Sequence, residues 1–394
     1  MQVAINLTTI DKVNLMRRFK YFILVTSLSF VLSVVSAATV VPSPPKIKAS
    51  SYLVMDHLSG DFVIAENMEE RVEPASLTKM MTAYVVASEL AAGNINLNSM
   101  VTISEKAWRM KGSRMFIEVN KKVAVEDLLK GVIVQSGNDA SVALAEYVAG
   151  SEDVFAQVMN QYAARLGMNK TNFTNSTGLP DESHYTTAKD MALLASALVK
   201  DYPDIYALHA IKEFTFNGIK QHNRNRMLWG GDGVDGIKTG YTKIAGYCLV
   251  ASAKREDMRL ISVIMGAEGE LARILSSQSI LSFAFRFYET HKLYEANEVI
   301  KIGKIWKGDG EDIALGVSND LYITIPRGTY HKLNASIELE PKMIAPINRG
   351  EERGKLQVSL KGKELINKPL IALITVAEGS FLNRLKDDIR LLFE

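Results

Sequence analysis

Apolar and polar positions fall into three successive rhythms along the chain. In the first, from about residue 46 to 288, short apolar runs stand at both ends of a series of helical patterns. Residues 51–56 and 61–65 are strand-length runs separated by His57-Leu58-Ser59-Gly60, which predicts a hairpin with glycine at its turn. Residues 80–92 contain no Gly or Pro, are rich in Met, Ala, Leu and Val, and stop at Gly93. That is the pattern of a buried helix. Further helical patterns occupy 128–134, 140–148, 155–166 and 191–199, and apolar runs at 245–253 and 259–265 read as adjacent strands. Strands at both ends with helices between them predict an α/β sandwich, the first hairpin joining the last strands in one antiparallel sheet.

The second rhythm begins at 289 and runs to 376. Short alternating stretches at 299–306, 321–325, 333–339, 356–360 and 370–376 are punctuated by Gly, Asn, Asp and Pro, which predicts a small all-β sandwich domain. The third is the tail, 378–394. On a helical projection, Phe381, Leu382, Leu385, Ile389, Leu392 and Phe393 fall within an arc of about 120°. Polar residues fill the rest, with Leu391 as an exception. A short terminal helix of this kind predicts an interfacial membrane anchor; the competing expectation is a helix docked on the protein's own surface.

The N-terminus changes the picture of location. Met16-Arg17-Arg18-Phe19-Lys20 is basic, residues 21–35 are apolar, and Val35-Ser36-Ala37 offers small residues. Residues 1–37 therefore predict an export signal cleaved after Ala37, with Met16 as an alternative start. Residues 39–45 form a Pro/Ser linker. The expected destination is the periplasm, attached peripherally to the outer face of the cytoplasmic membrane.

Composition adds mainly exclusions. The 394 residues are 47% hydrophobic and 23% charged with a net charge of +2, an ordinary globular balance that gives no bias toward nucleic acid. Six scattered histidines and a single cysteine offer no metal-ligand spacing and no internal disulfide. Cys248 lies in an apolar run and is expected to be a small buried hydrophobe.

The candidate chemistry starts at Ser76-Leu77-Thr78-Lys79. Residues i and i+3 share one helix face, so Lys79 can bring its amine to the Ser76 hydroxyl and act as its base. A Ser-x-x-Lys alone is expected about once by chance in such a chain. Ser136-Gly137-Asn138 and Lys238-Thr239-Gly240 follow in order, each with a chance expectation of roughly 0.1 to 0.2. Ser136 suits proton relay, the Asn138 amide can hold Lys79 and a substrate carbonyl, and Lys238 with Thr239 suits a terminal carboxylate. Lys238-Thr239-Gly240 would run along the edge of the sheet opposite the nucleophile, and Gly240 would let substrate backbone lie close against that strand. Asp139 is expected to cap the following helix.

The three motifs, with Glu73-Pro74-Ala75-Ser76-Leu77-Thr78-Lys79-Met80-Met81, Ser136-Gly137-Asn138-Asp139-Ala140 and Asp235-Gly236-Ile237-Lys238-Thr239-Gly240 around them, resemble those of the low-molecular-mass penicillin-binding proteins, the serine D-alanyl-D-alanine carboxypeptidases. The resemblance implies a penicillin-recognising (β-lactamase/transpeptidase-like) α/β domain and removal of the terminal D-alanine from peptidoglycan stem pentapeptides. It also implies acylation by β-lactam antibiotics and no metal or organic cofactor. Ser76 is then the nucleophile, Lys79 the base, and Ser136, Asn138 and Lys238 the proton network. Lys238, Thr239, Gly240 and Arg224 would bind substrate, and the N–H groups of Ser76 and Tyr241 would form the oxyanion hole. Many relatives carry His where this chain has Tyr241. The loop 177–188 contains Asp181 and Glu182 but no Glu-x-x-x-Asn arrangement, which disfavours efficient β-lactam hydrolysis. A β-lactamase and a non-hydrolytic, penicillin-binding cell-shape protein that recruits wall enzymes are the alternatives.

Overall fold

The structure, a computed structural model, describes residues 41–393, so the expected export segment at 1–37 and its cleavage point lie outside the described residues. The chain opens with the hairpin β1 (Ser51–Asp56) and β2 (Phe62–Glu66). A 3₁₀ turn at Ala75–Thr78 leads into helix α1 (Lys79–Ala91). A small hairpin, β3 (Met100–Thr102) with β4 (Lys122–Ala124), encloses α2 (Glu105–Trp108). Helices α3 (Val125–Lys130), α4 (Asn138–Ala149), α5 (Glu152–Arg165), α6 (Ala188–Asp201) and α7 (Pro203–Ala207) follow. The hairpin β5 (Glu213–Phe216) and β6 (Ile219–His222) then leads to the long strands β7 (Val234–Thr242), β8 (Gly246–Arg255) and β9 (Met258–Ala267), and to helix α8 (Glu270–Phe287).

The five long strands make one antiparallel sheet in the order β2-β1-β9-β8-β7. The first hairpin does join the last strands, with Val54 opposite Ser262. The inner strands β1, β8 and β9 are largely apolar because both faces are covered. Leu53, Met55, Val250, Ile261 and Val263 pack with helices α1, α4 and α6 on one face. Their neighbours Tyr52, Val54, Leu249, Leu260 and Ile264 pack on Ile280, Leu281, Ala284 and Phe285 of α8 on the other. Alternate side chains of a strand point to opposite faces, and each large one fully buried contributes about 1.5–3 kcal/mol. The sandwich is held by those two layers.

One helical pattern breaks where the sequence suggests continuity. The expected helix 128–134 ends as α3 at Lys130, and Gly131–Gln135 forms a π-helical turn that delivers Ser136 in a left-handed conformation, φ 63°. Close packing accounts for glycine at 131, since a Cβ there would lie 2.2 Å from the Met115 sulfur. Wide turns of this kind recur at functional sites.

Helix α8 runs directly into a β domain: β10 (Tyr288–Tyr294), β11 (Lys301–Trp306), β12 (Asp312–Gly316), β13 (Leu321–Pro326), β14 (Leu333–Leu339), β15 (Met343–Ile344), β16 (Glu352–Leu360) and β17 (Lys363–Ala372). A six-stranded sheet, β14-β16-β17-β12-β11-β15, and the pair β10-β13 enclose a core of Ile305, Ile313, Leu315, Ile323, Leu356 and Leu370. The sequence pattern overlooks β10, β12 and β15 and starts β17 at 370 instead of 363. β10 and the first half of β17 are rich in half-exposed polar residues, so periodicity carries little there. The turn of the first hairpin docks on this domain. Thr290 Oγ1 donates to Asp56 Oδ2 at 2.7 Å and the Thr324 N–H to Asp61 Oδ2 at 3.1 Å.

The terminal helix α9 (Phe381–Leu391) turns its polar side toward the β domain. The Lys307 N–H donates to Asp387 Oδ2 at 2.7 Å, Lys307 Nζ pairs with Asp388, and Arg384 pairs with Glu378 at 2.9 Å. Phe381, Leu382, Leu385, Ile389, Leu392 and Phe393 are all exposed, the least of them, Leu385, at 47%.

Candidate active site

Three segments meet at Lys79: the 3₁₀ turn that carries Ser76, the N-terminus of α4, and the loop before α6. Lys79 Nζ lies 3.1 Å from Ser76 Oγ, 2.7 Å from Asn138 Oδ1 and 2.6 Å from the Thr177 carbonyl oxygen. The last two are acceptors only. A neutral amine has two hydrogens and one lone pair. With both hydrogens given to Asn138 and Thr177, the lone pair is left for the Ser76 hydroxyl proton.

The electrostatics favour that neutral form. Lys79 is 1% exposed, and burial lowers its pKa to about 7 against partial opposition from the Asp139 and Glu152 charges. Desolvation is the cause of this shift, and the charge of the second lysine is not among its contributors. Like-charge repulsion acts on the other partner. Lys238, also buried, is lowered by desolvation first and then by the charges of Lys79, Arg224 and Arg273.

Lys238 reaches across from β7 to donate to Ser136 Oγ at 2.8 Å and to the Thr239 carbonyl at 3.0 Å. The nucleophile turn and edge strand β7 are thus the two sides of one cleft, with Ser136 and Asn138 as its third wall. Gly240 also packs closely against the protein itself. A Cβ there would sit 3.1 Å from the Ala75 Cβ and the Pro74 carbonyl and 3.2 Å from the Ser76 nitrogen. Its missing side chain therefore makes room for the nucleophile turn itself. Thr239 is nearly buried, while Tyr241 is exposed with its ring 4.4 Å from that of Tyr247. Arg224 is exposed, and its contact with the site is through its charge on Lys238 and Arg273.

Asp139 is not the N-cap residue of α4, which is Gly137, but its carboxylate takes one first-turn N–H of that helix, that of Ala140, at 2.9 Å. The same carboxylate takes the N–H groups of Met115, at 3.0 Å, Phe116, at 2.9 Å, and Ile117, at 3.3 Å. This straps the loop before β4 against the site. Asn138 helps: its Nδ2 donates to the Lys111 carbonyl at 2.7 Å and its N–H to that of Ser113 at 2.7 Å. One amide group thereby holds Lys79 on one side and the loop on the other.

The floor is the loop 174–187. Gly178, at φ 81°, lies so close beneath the nucleophile turn that a Cβ would come within 1.8 Å of the Ala75 carbonyl. His184 Nε2 is 2.8 Å from Thr78 Oγ1. Asp181 and Glu182 point to solvent. The buried Glu152 is committed elsewhere, to Ser176 at 2.8 Å and Lys106 at 2.9 Å. No carboxylate contacts Ser76 or Lys79, and no cluster of metal-ligand type occurs among the described residues.

Two contributors have no motif to announce them. The Thr177 carbonyl is backbone, which every residue possesses. Arg273 of α8 is buried and donates to the Gly240 carbonyl at 3.1 Å. Its nearest carboxylate is Glu270, 3.7 Å away and itself exposed. Nothing in the pattern around 273 separates it from any other helical arginine.

Residues 38–269 match the D-alanyl-D-alanine carboxypeptidase family, and residues 288–378 match the penicillin-binding protein 5 C-terminal domain. The chain is 44% identical over 357 residues to the D-alanyl-D-alanine carboxypeptidase DacC of Escherichia coli, covering 89% of each chain. Penicillin-binding protein 5 of Haemophilus influenzae superposes with a TM-score of 0.83 at 43% identity, over 86% of this chain and 100% of that one. Penicillin-binding protein D2 of Listeria monocytogenes, solved with ampicillin bound, superposes at 0.57 and 27% identity over 62% of this chain and 100% of that one.

Proposed function

Because the chain belongs to the D-alanyl-D-alanine carboxypeptidase family, we propose that its cleft performs that reaction with Ser76 as nucleophile. The protein is a penicillin-binding serine carboxypeptidase that removes the terminal D-alanine from peptidoglycan stem pentapeptides. The observation that carries the assignment of residues is the set of three contacts at Lys79 Nζ.

In the proposed sequence, the neutral Lys79 amine takes the Ser76 proton as Oγ attacks the carbonyl between the two D-alanines. The oxyanion is held by the N–H groups of Ser76 and Tyr241. Lys238 and Thr239, with the charges of Arg224 and Arg273 nearby, hold the substrate's free carboxylate. As the tetrahedral species collapses, the C–N bond breaks. The leaving amine receives its proton through Ser136, whose hydroxyl Lys238 holds at 2.8 Å. Water then attacks the acyl-Ser76 ester, Lys79 accepting its proton, and the shortened stem is released. β-Lactams would enter by the same first step. With no carboxylate beside the ester to activate water, their acyl-enzyme should persist, which argues against the β-lactamase alternative.

The test is release of free D-alanine from a pentapeptide ending in D-Ala-D-Ala. Ser76→Ala should lower the rate by about 10⁴-fold or more and abolish covalent labelling by a fluorescent penicillin. Release that survives the substitution refutes Ser76 as nucleophile. A folded wild type that is labelled but releases nothing favours the recruiting alternative.

The location is likewise proposed: exported, with α9 resting on the outer face of the cytoplasmic membrane. No helix among the described residues is long and apolar enough to cross a bilayer. The support is the attitude of α9. In water alone, a free amphipathic helix gains by turning its apolar face onto the protein. Here the polar face is gripped through Lys307 and Glu378 and the apolar face points out, which suits a lipid surface.

A further inference from the structure

Strand β7 is the edge of the main sheet and pairs with β8 alone. Just upstream of Lys238 it has a second set of partners, which are side chains. The Asn225 amide donates to the Gly236 carbonyl at 2.8 Å, and His209 Nδ1 lies 3.0 Å from the Ile237 carbonyl. One residue earlier, Asp235 accepts from the Tyr206 hydroxyl at 2.5 Å and from two guanidinium nitrogens of Arg259 at 2.8 and 2.7 Å. Three consecutive residues are therefore held from outside the strand, and Lys238 comes next.

His209 is 1% exposed and belongs to no motif. A carbonyl oxygen can only accept, so Nδ1 carries the ring proton. Nε2 is then a bare lone pair, buried and without a partner. Burial keeps the imidazole neutral, its pKa lowered to about 4. It is a donor that adds no charge beside Lys238, where a cation would repel the amine. Asn223 ties the parts together. Its Nδ2 donates to the His209 carbonyl at 3.3 Å and the Ile211 carbonyl at 2.9 Å, and its Oδ1 accepts from the Asn225 N–H at 2.9 Å. Arg224 stands exposed between these two buried asparagines.

We propose that His209 and Asn225 are positioning residues that grip the Ile237 and Gly236 carbonyls and so set where the Lys238 amine stands to meet the substrate's carboxylate. Neither touches substrate. The lysine side chain is flexible, and the backbone it starts from decides whether its amine spans the cleft at 2.8 Å. A misplacement of about 1 Å at such a contact can cost up to about a hundredfold in rate. The proposal rests on Lys238 holding the substrate's terminal carboxylate.

The test uses the full-length protein and two pentapeptides, one ending in D-Ala-D-Ala as the free acid and one as the carboxamide. His209→Phe keeps a ring and removes the donor, whereas His209→Asn keeps an N–H near the place of Nδ1. In His209→Phe, kcat/KM for the acid should fall about tenfold, mostly through KM, and for the carboxamide by less than about twofold. His209→Asn should recover most of the loss. Equal losses on both peptides, or equal losses in both variants, overturn the proposal, since a general structural role predicts those results. If His209→Phe does not fold, Asn225→Ser withdraws the grip on Gly236 while the serine hydroxyl can keep the cap that Asn225 Oδ1 gives the Met227 N–H, and it carries the same comparison. A wild type that does not prefer the acid refutes the carboxylate role of Lys238 itself, and this proposal with it.

Discussion

The proton on Lys79 decides what Ser76 can do. A free lysine is almost wholly charged at neutral pH and has no lone pair to offer. Burial brings this one to about 7, so the neutral fraction rises as pH rises through 7. If Lys79 is the base, kcat/KM for D-alanine release should climb about tenfold per pH unit below about pH 6 and level off above about pH 8. A profile that is flat across that range would exclude Lys79 as the base. The Ser76 to Lys79 spacing is legible in the sequence because i and i+3 neighbours are a local property of a helical turn. The depth of burial that shifts the pKa is not. It arises only where distant segments meet around the amine, among them those of Asn138 and Thr177, which lie 59 and 98 residues further along the chain.

Among the elements, edge strand β7 and the nucleophile turn are set against each other with no room to spare. Gly240→Ala places a methyl 3.1–3.2 Å from the Ala75 Cβ, the Pro74 carbonyl and the Ser76 nitrogen, so strand and turn must part by a few tenths of an ångström. Acylation by labelled penicillin should slow about ten- to a hundredfold, with a much smaller loss of thermal stability because the strand lies at the sheet edge. An unchanged acylation rate would show that the contact is slack. The motif stands out in the sequence, but the close packing of residue 240 on the nucleophile turn does not, because it depends on a segment more than 160 residues away in the chain. The helical pattern through 128–134 misleads. Apolar periodicity does not register the π-helical turn, which is set by packing of Gly131 on Met115.

For the whole molecule, the catalytic domain, the β domain and α9 form a series. Docking of the first hairpin's turn on β10 and β13 joins the first two, and the Lys307 contacts join the last. Removing residues 378–394 takes away the exposed apolar face and leaves the catalytic contacts intact. The truncated protein should move from the membrane to the soluble periplasmic fraction while releasing D-alanine from a soluble pentapeptide at an unchanged rate. Continued membrane association would show that α9 is not the anchor.

The sequence by itself determined the sheet-and-helix order, the β character of the region after 288, and three motifs whose order resembles a single family. Each depends on short-range spacing, which a linear string records. Tertiary structure alone decided which carbonyl holds Lys79, what packs against residue 240, that Asp139 straps a loop as well as serving the first turn of its own helix, and that α9 turns its apolar face outward. Those outcomes depend on desolvation and close contact between segments far apart in the chain, and such quantities exist only once the chain has folded.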